Sequence, residues 1–242
     1  MTKYGLIGYP LSHSFSKKYF TDKFERESIQ DHAYELFPIE TITQLPSLLA
    51  SETTLKGLNV TIPYKEQVVS FLDELTDVVK EIKACNCIHI LDGKLIGYNT
   101  DVIGFEKTLE RKLSKHHQCA LVLGTGGAAK AVHYVLRKKG IEFIEVSRSK
   151  IDGGLSYEEV NEQVISSHTL IINTTPLGMH PNVQEAPNIP YHLLTDQHYL
   201  YDLVYNPAKT KFLLEGEARG TITENGADML VIQAEASWDI WK

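Results

Sequence analysis

Apolar and polar positions in the first hundred residues alternate between short apolar runs and stretches with helical spacing. Runs of this length predict strands, and apolar residues recurring every three or four positions predict helices. The predicted strands are residues 4–7, 33–38 and 57–60, and the predicted helices are residues 17–27, 45–50 and 67–72. Residues 87–91 and 94–98 flank Asp92 and Gly93, a dipeptide that favours a hairpin turn.

From Cys119 onward the pattern changes to regular alternation of strands and helices. The predicted strands are residues 120–123, 142–146, 170–173 and 199–204. A helix is expected from the glycine turn after the first of these strands to about residue 139, and the stretch 228–241 also has helical periodicity. Such alternation is typical of an α/β fold with a parallel sheet and right-handed crossovers.

The charged segment EKTLERKLSKHH, residues 106–117, predicts a helix that connects two domains. The change of pattern places the division between Gly104 and His117. We therefore expect two α/β domains with a cleft between them.

The composition and charge of the chain limit the classes of partner that it is expected to bind. A net charge of −7 and a pI near 5.8 argue against nucleic acid as the main partner, because phosphate binding needs a basic face. No apolar run approaches the roughly 20 residues of a membrane span, and nothing at the N-terminus resembles a secretion signal. Three cysteines and scattered histidines indicate neither a disulfide framework nor a metal site. We expect a cytoplasmic protein without a metal or membrane partner.

A glycine turn follows the first strand of the second half. The segment LVLGTGGAAKAV, residues 121–132, carries Gly124, Gly126 and Gly127 between a strand and an alanine-rich helix. Glycine permits a tight turn and the close approach of a pyrophosphate, and the helix N-terminus offers unpaired N–H groups. The spacing differs from GxGxxG, but the strand–turn–helix context predicts dinucleotide binding rather than a purely structural turn.

The end of the next strand indicates which dinucleotide is bound. An NAD site normally has an acidic residue here for the ribose 2′-hydroxyl, whereas this chain has Ser147, Arg148, Ser149 and Lys150. A guanidinium binds a 2′-phosphate that a carboxylate would repel. The sequence therefore favours NADP, although a solvent-exposed arginine on a loop is the alternative.

The first half has polar residues next to predicted strand ends. Ser12 and Ser14 are two positions apart, so their hydroxyls share a side on an extended segment, although Ser14 or Ser16 is also suited to cap the next helix. Asn59 and Thr61 share a strand face, and Lys65 follows the turn after them. Lys65 is a candidate proton-transfer group, with a solvent-facing lysine as the alternative.

Two further candidates lie nearer the predicted domain boundary. Asn86, within ACNC, is a neutral double hydrogen-bonder suited to a hydroxylated ligand. Asp101 comes just before the boundary, where it either takes part in catalysis or caps the following helix.

Together these segments resemble the shikimate dehydrogenase family over nearly the whole chain. The matching segments, in the order of the family, are IGYPLSHSFS, GLNVTIPYKE, GYNTDVIGF, VLGTGGAAKAV, INTTPLGM, YDLVYNP and NGADMLVIQA. The resemblance implies NADPH-dependent reduction of 3-dehydroshikimate to shikimate, a step of aromatic amino acid biosynthesis through chorismate. It also implies a substrate-binding domain of residues 1–103 and 228–242 and a Rossmann-type NADP-binding domain of residues 104–227.

The resemblance also implies the roles of individual residues. Lys65 and Asp101 are the implied catalytic pair. The implied substrate-binding residues are Ser12, Ser14, Asn59, Thr61, Lys65, Asn86, Asp101, Tyr205 and Gln233. The implied cofactor-binding residues are Gly124, Gly126, Gly127, Ala128, Ser147, Arg148, Thr174, Leu203 and Gly226. The expected assembly is a monomer or a homodimer, because no feature of the sequence decides between them.

The chain departs from the family pattern at two motifs. KACNC stands where the family usually has GAVNT, so that Asn86 is retained and Cys87 replaces threonine. SRSK followed by Ile151 stands where many members have NRT and a second arginine. The alternative functions are a quinate/shikimate dehydrogenase that uses NAD and a nucleotide-binding regulator without turnover. The lack of an acidic residue after the second strand of the glycine-turn half argues against NAD, and Lys65 with Asp101 argues against the regulator.

Overall fold

The computed structural model describes residues 1–11 and 14–242, so the predicted substrate residue Ser12 lies outside the described residues. The chain divides into two compact units. Unit 1 consists of Met1–Thr100 and Ala234–Lys242, and unit 2 consists of Asp101–Gln233. The sequence analysis placed these boundaries after residues 103 and 227.

Unit 1 is built on a mixed sheet. Its strands are β1 (Thr2–Gly8), β2 (His32–Pro38), β3 (Leu55–Val60), β4 (Glu74–Leu75), β5 (Cys87–Leu91) and β6 (Lys94–Tyr98). They lie in the order β2-β1-β3-β5-β6-β4. β1 is parallel to β2 and β3, whereas β5 is antiparallel to β3 and β6. The predicted hairpin is confirmed, with Asp92 and Gly93 both at positive φ between the paired Leu91 and Lys94.

Both faces of this sheet are covered, because alternate side chains of β1 enter different cores. Ile7 packs with Leu58 and Val68 in an aliphatic core. Tyr4 packs on the other face in an aromatic core with Phe20 and Trp238. The helices of this unit are α1 (Phe15–Arg26), α2 (Leu45–Ser51) and α3 (Asp77–Ile82), together with the last residues of α8 (Ala227–Trp241).

Unit 2 has a fully parallel sheet, as the alternation predicted. Its strands are β7 (Cys119–Leu123), β8 (Glu142–Ser147), β9 (Leu155–Ser156), β10 (Leu170–Asn173), β11 (Tyr199–Asp202) and β12 (Ile222–Glu224). They lie in the order β12-β11-β10-β7-β8-β9, and every pair is parallel. Counted within the unit this is 6-5-4-1-2-3, the order of a doubly wound nucleotide-binding sheet. The helices that begin in this unit are α4 (Asp101–Leu109), α5 (Gly127–Lys139), α6 (Glu162–Ser167), α7 (Lys211–Glu217) and α8.

The predicted connecting helix at residues 106–117 is wrong in its bounds. α4 begins at Asp101 and ends at Leu109. The ring nitrogen Nδ1 of His117 accepts a 2.9 Å hydrogen bond from the backbone N–H of Ser114, which draws that N–H away from helical bonding. Similarly, the helix predicted at residues 67–72 is a 3-10 turn, Gln67–Phe71, and α3, α6 and α7 were not predicted.

Candidate active site

One edge of the unit 1 sheet collects the predicted substrate residues of that unit. β1 and β3 are parallel, so their carboxyl ends lie together, and ligands bind at such ends in α/β sheets. Antiparallel β5 begins at this edge, since Asn59 pairs with Cys87, and β6 ends here, since Cys87 pairs with Tyr98. Ser14, Thr61, Lys65 and Asn86 therefore belong to segments that leave or enter the sheet at one edge.

Asn59 is held from three sides and is only 5% exposed. Its carbonyl oxygen accepts a 2.8 Å hydrogen bond from the Tyr34 hydroxyl. Its amide nitrogen donates to the Ser237 hydroxyl at 2.9 Å and to the backbone oxygen of Asn86 at 3.3 Å. Both amide protons of Asn59 are used inside the unit, which leaves one lone pair of its oxygen for a ligand.

Asn86 is also buried and fixes the segment after β6. Its Oδ1 accepts from the backbone N–H of Thr100 at 2.6 Å, and its Nδ2 donates to the Thr100 hydroxyl at 3.0 Å. The Thr100 hydroxyl in turn lies 3.2 Å from that of Ser237. A polar network thus joins β3, the start of β5, the end of β6 and α8.

Lys65 is half-buried in the turn between β3 and the 3-10 turn at Gln67–Phe71. Its backbone oxygen accepts a 2.7 Å hydrogen bond from the N–H of Cys85, which precedes Asn86. Thr61 is tied to the neighbouring strand, because its N–H donates to the oxygen of Ile7 at 3.0 Å. These backbone bonds bring the Lys65 and Asn86 segments together.

Ser14 occupies the N-cap position of α1, but its side chain makes no capping hydrogen bond. Its hydroxyl oxygen is buried and has no hydrogen-bond partner among the described residues. A buried hydroxyl without a partner is costly in a folded protein. The capping alternative considered for Ser14 is therefore not what the structure shows.

The remaining predicted substrate residues belong to unit 2. Asp101 is the first residue of α4 and is 7% exposed. Gln233, on α8, is equally buried and donates to the backbone oxygen of Leu230 at 3.0 Å. Tyr205 follows β11 and is half-buried, and burial raises the pKa of its hydroxyl.

The glycine turn lies where the order of the unit 2 sheet reverses. β7 is flanked by β8 and β10, so the turn after β7 faces the segment after β10. Gly124 has φ +107, and its N–H donates to Val146 at 2.8 Å. Thr174 follows β10, and both its N–H and its hydroxyl donate to Leu123, at 2.9 and 2.8 Å. A Cβ on Gly124 would lie 2.8 Å from the Thr174 hydroxyl, so the turn requires glycine.

Gly126 is the N-cap of α5, and Gly127 and Ala128 begin that helix. A Cβ built on Gly126 would meet no atom within 4 Å. The turn is therefore open beside the first residues of α5, and a helix N-terminus suits a phosphate.

Leu203 and Gly226 come together beside this turn. A Cβ on Gly226 would lie on the backbone oxygen of Leu203, so the two segments pack without room for a side chain. The N–H of Leu203 donates to the backbone oxygen of Asn173 at 3.0 Å. The segments after β10 and β11 and the start of α8 are thereby fixed to each other.

Ser147 and Arg148 lie at the carboxyl end of β8, next to β7. Arg148 is exposed, and it lowers the pKa of Tyr157, a shift smaller than the rise that burial causes. Lys150 is paired with Glu159 at 2.5 Å. Arg148 is therefore the basic residue of this loop that directly follows β8.

Sequence analysis missed the residues that support these positions. Tyr34, Thr100 and Ser237 anchor the amides of Asn59 and Asn86. Asn173 and Asp202 bond to each other at the ends of β10 and β11, at 2.9 Å. The available signal was a polar residue ending an otherwise apolar strand, as in LIIN and YLYD.

Comparison with known proteins decides the family. A family model described as the shikimate dehydrogenase substrate binding domain matches residues 6–88. A shikimate dehydrogenase (NADP(+)) from Clostridium beijerinckii is 40% identical over 255 residues, which cover 100% of this chain and 92% of that protein. The chain belongs to the shikimate dehydrogenase family.

Solved structures of the shikimate dehydrogenase family share the fold. The crystal structure of shikimate dehydrogenase from Aquifex aeolicus has a TM-score of 0.88 at 32% identity and covers 100% of this chain and 92% of that one. Shikimate 5-dehydrogenase from Thermus thermophilus, in complex with NADP(H) and shikimate, has a TM-score of 0.88 at 28% identity, covering 100% and 94%. The predicted α/β fold, with an N-terminal domain and a Rossmann-type domain, is confirmed.

Within residues 1–11 and 14–242, no group of three or more His, Cys, Asp or Glu side chains is arranged to hold a metal ion. In the same residues, no helix has the length and apolar character needed to span a bilayer.

Proposed function

We propose that this protein catalyses the reversible, NADPH-dependent reduction of 3-dehydroshikimate to shikimate, in the biosynthesis of aromatic amino acids. The observation that supports the proposal is that each unit has a sheet edge with a different set of binding groups. One presents hydroxyl, amide and ammonium groups suited to a hydroxylated acid, and the other presents a glycine turn at the reversal point of a doubly wound sheet. The proposed substrate domain is residues 1–103 with 228–242, and the proposed nucleotide domain is residues 104–227.

The nucleotide edge fits NADP. The opening beside Gly126 supports a pyrophosphate position at the N-terminus of α5. We assign Leu203 and Gly226, whose backbones pack closely, to the cofactor site as well. Arg148, exposed at the end of β8, is placed for the 2′-phosphate, where an NAD site has a carboxylate. Ala128, Ser147 and Thr174 complete the proposed cofactor site. When bound, the nicotinamide supplies or accepts the hydride.

The substrate edge fits a carboxylate with ring hydroxyls. The buried hydroxyl of Ser14 lacks a partner among the described residues, so a substrate carboxylate would satisfy it. We assign Ser12 and Tyr205 to the same carboxylate. We assign the ring hydroxyls of the substrate to four other polar residues, Asn59, Thr61, Asn86 and Gln233.

Lys65 and Asp101 are the proposed catalytic pair. In the reducing direction the Lys65 ammonium donates a hydrogen bond to the ketone oxygen and passes its proton to the oxygen that gains negative charge. The proposed role of Asp101 is to position Lys65 and to bind a neighbouring ring hydroxyl of the substrate. A positioned proton donor contributes about 10² to 10⁴ in rate.

The decisive assay follows absorbance at the nicotinamide band. Shikimate with NADP⁺ is expected to give turnover, whereas NAD⁺ or quinate should give a kcat/KM lower by at least about tenfold. Preference for NAD⁺ or quinate would instead identify a quinate/shikimate dehydrogenase. NADPH binding without turnover of either acid would identify a non-catalytic regulator.

We also propose a cytoplasmic monomer or homodimer. Cys85, Cys87 and Cys119 all lie in the described residues and form no disulfide bond with one another, which suits a reducing compartment. Light scattering coupled to size exclusion distinguishes the two assemblies.

A further inference from the structure

The carboxylate of Asp202 lies at the carboxyl end of β11 and is fully buried. It accepts three hydrogen bonds. Oδ1 accepts from the Asn173 amide at 2.9 Å and from the backbone N–H of Val204 at 3.0 Å, and Oδ2 accepts from the Thr210 hydroxyl at 2.5 Å. An ionised carboxylate accepts hydrogen bonds and donates none, so it matches three donors at once.

Each of these bonds fixes a different segment. The bond from Val204 sets the backbone that carries Leu203 and Tyr205. The bond from Asn173 reaches the neighbouring strand β10. The bond from Thr210 reaches α7, where the same hydroxyl accepts from Leu213 as an N-cap.

The Asn173 branch continues to the glycine turn. Oδ1 of Asn173 accepts from both the N–H and the hydroxyl of Thr175, at 3.0 and 2.6 Å. The Thr175 methyl group would lie 2.8 Å from a Cβ on Gly124. Continuous hydrogen bonds and close packing therefore run from Asp202 through Asn173 and Thr175 to the first glycine of the turn.

We infer that Asp202 is a positioning residue for the nucleotide site, which sets NADP(H) affinity by holding the segments after β10 and β11 in register with the glycine turn. This inference rests on the proposed function, since it assigns the site to that nucleotide. Asp202 need not touch the nucleotide, because its bonds act on residues that we assign to the cofactor.

The charge state of Asp202 matters, because a protonated carboxyl loses one acceptor position to its own proton. Burial raises the pKa of Asp202 to about 6, and the bonds from Thr210, Val204 and Asn173 oppose that rise. Among the described residues, Tyr191 of the 3-10 helix Tyr191–Leu193 interacts electrostatically with Asp202. Glu215 of α7 interacts electrostatically with Tyr191. Above pH 7 the carboxylate form predominates and all three donors are satisfied.

The test compares three variants by NADPH fluorescence titration at pH 8, with thermal unfolding recorded for each. Asp202→Ala removes every acceptor and is expected to raise the Kd for NADPH about tenfold or more. Asp202→Asn keeps one carbonyl oxygen for Asn173 and Val204 and should change Kd by less than about threefold. Thr210→Val is the matched control, because it removes the branch to α7 alone and should lower the unfolding temperature with Kd unchanged.

The pH dependence supplies a second readout that survives if Asp202→Ala does not fold. The Kd of wild type should rise more steeply than that of Asp202→Asn as the pH falls from 8 to 5. The 2′-phosphate of NADPH also titrates near pH 6, but it is common to both proteins, so only the difference between the curves reports on Asp202.

The outcomes separate the two proposals. A folded Asp202→Ala with unchanged Kd, or superimposable pH curves where that variant is unfolded, overturns the inference alone. If the wild type binds NADPH but does not oxidise shikimate with NADP⁺, the proposed function is wrong. The Kd ratios of the variants then still test the inference about Asp202. Wild type that does not bind NADPH overturns both.

Discussion

The side-chain amide of Asn59 donates a 2.9 Å hydrogen bond to the hydroxyl of Ser237, across 178 positions of the chain. Ser237 is fully buried and also lies 3.2 Å from the Thr100 hydroxyl. α8 therefore supplies a hydroxyl that two substrate-edge segments share, although sequence analysis assigned that residue no role.

Ser237→Ala is expected to leave an Asn59 amide proton without its acceptor in a buried site. We expect a loss of about 1 to 3 kcal/mol in the free energy of unfolding, together with a higher KM for shikimate and a smaller change in kcat. Urea unfolding and steady-state kinetics measure both. The control is Ser51→Ala, at an exposed serine of the same unit, which should change stability by less than about 0.5 kcal/mol. Equal behaviour of the two variants would show that the network contributes nothing.

Two glycines of unit 2 should respond differently to alanine. Gly226→Ala places a Cβ on the Leu203 carbonyl and should lower the free energy of unfolding by at least about 2 kcal/mol. Gly126→Ala meets no atom within 4 Å, so stability should be kept while the added methyl group obstructs the phosphates and raises the Kd for NADPH at least about tenfold. Calorimetry and fluorescence titration separate the effects. Tight NADPH binding by Gly126→Ala would count against a pyrophosphate at this turn.

Arg148→Ala tests the basis of cofactor choice. Loss of a charge-assisted contact to the 2′-phosphate should raise the KM for NADP⁺ about ten- to a hundredfold and leave the KM for NAD⁺ unchanged. Arg219→Ala, at an exposed arginine of the same unit, is the control. A parallel rise for both cofactors would indicate that Arg148 does not read the phosphate.

Lys65→Ala tests the proton carrier. kcat should fall at least about a hundredfold with a smaller change in substrate affinity, because the lost contact strengthens as charge develops on the substrate oxygen. Lys56→Ala, at an exposed lysine of β3, should leave kcat unchanged. A loss below about tenfold in the Lys65 variant would remove Lys65 from this role.

The stability of the protein should depend on the charge of Asp202. Burial raises the pKa of this group from 3.8 to about 6. The folded protein therefore holds the proton more tightly than the unfolded chain, so the stabilising contribution is complete below about pH 4 and is lost as the pH rises through about 6. Relative to Asp202→Asn, wild type should lose up to about 3 kcal/mol between pH 4 and pH 7, measured by urea unfolding. A constant difference between the two proteins across this range would contradict the assignment.

Sequence predicted the central strands of unit 2 well, because β7 and β10 are almost continuous apolar runs. ALVL has no polar residue, and LIIN has none before its last position, as expected for strands covered on both faces. The glycine turn could also be predicted from the sequence, because the positive φ of Gly124 requires glycine there. Gly226, before α8, is required as well, because the backbone of Leu203 packs directly against it. The family was also predicted, and the relative from Clostridium beijerinckii confirms it.

The short helices and the residues that support the site could not be predicted from the sequence. α3, α6 and α7 have six or seven residues each, too few for helical periodicity to stand out. The role of Ser237 depends on which residues its helix meets, 137 and 178 positions away, and no local pattern records that. The roles of the proposed site residues stay predictions until the variants are measured.

The boundary between the units falls inside α8, so unit 1 is discontinuous in sequence. During synthesis residues 1–100 leave the ribosome long before Trp238 and Trp241, which pack on Tyr4 and complete the aromatic side of its core. Until those residues emerge, the nascent first unit lacks two of the aromatic side chains that cover this face of its sheet, while unit 2 is almost entirely translated. Unit 1 therefore completes its core last although its chain is made first.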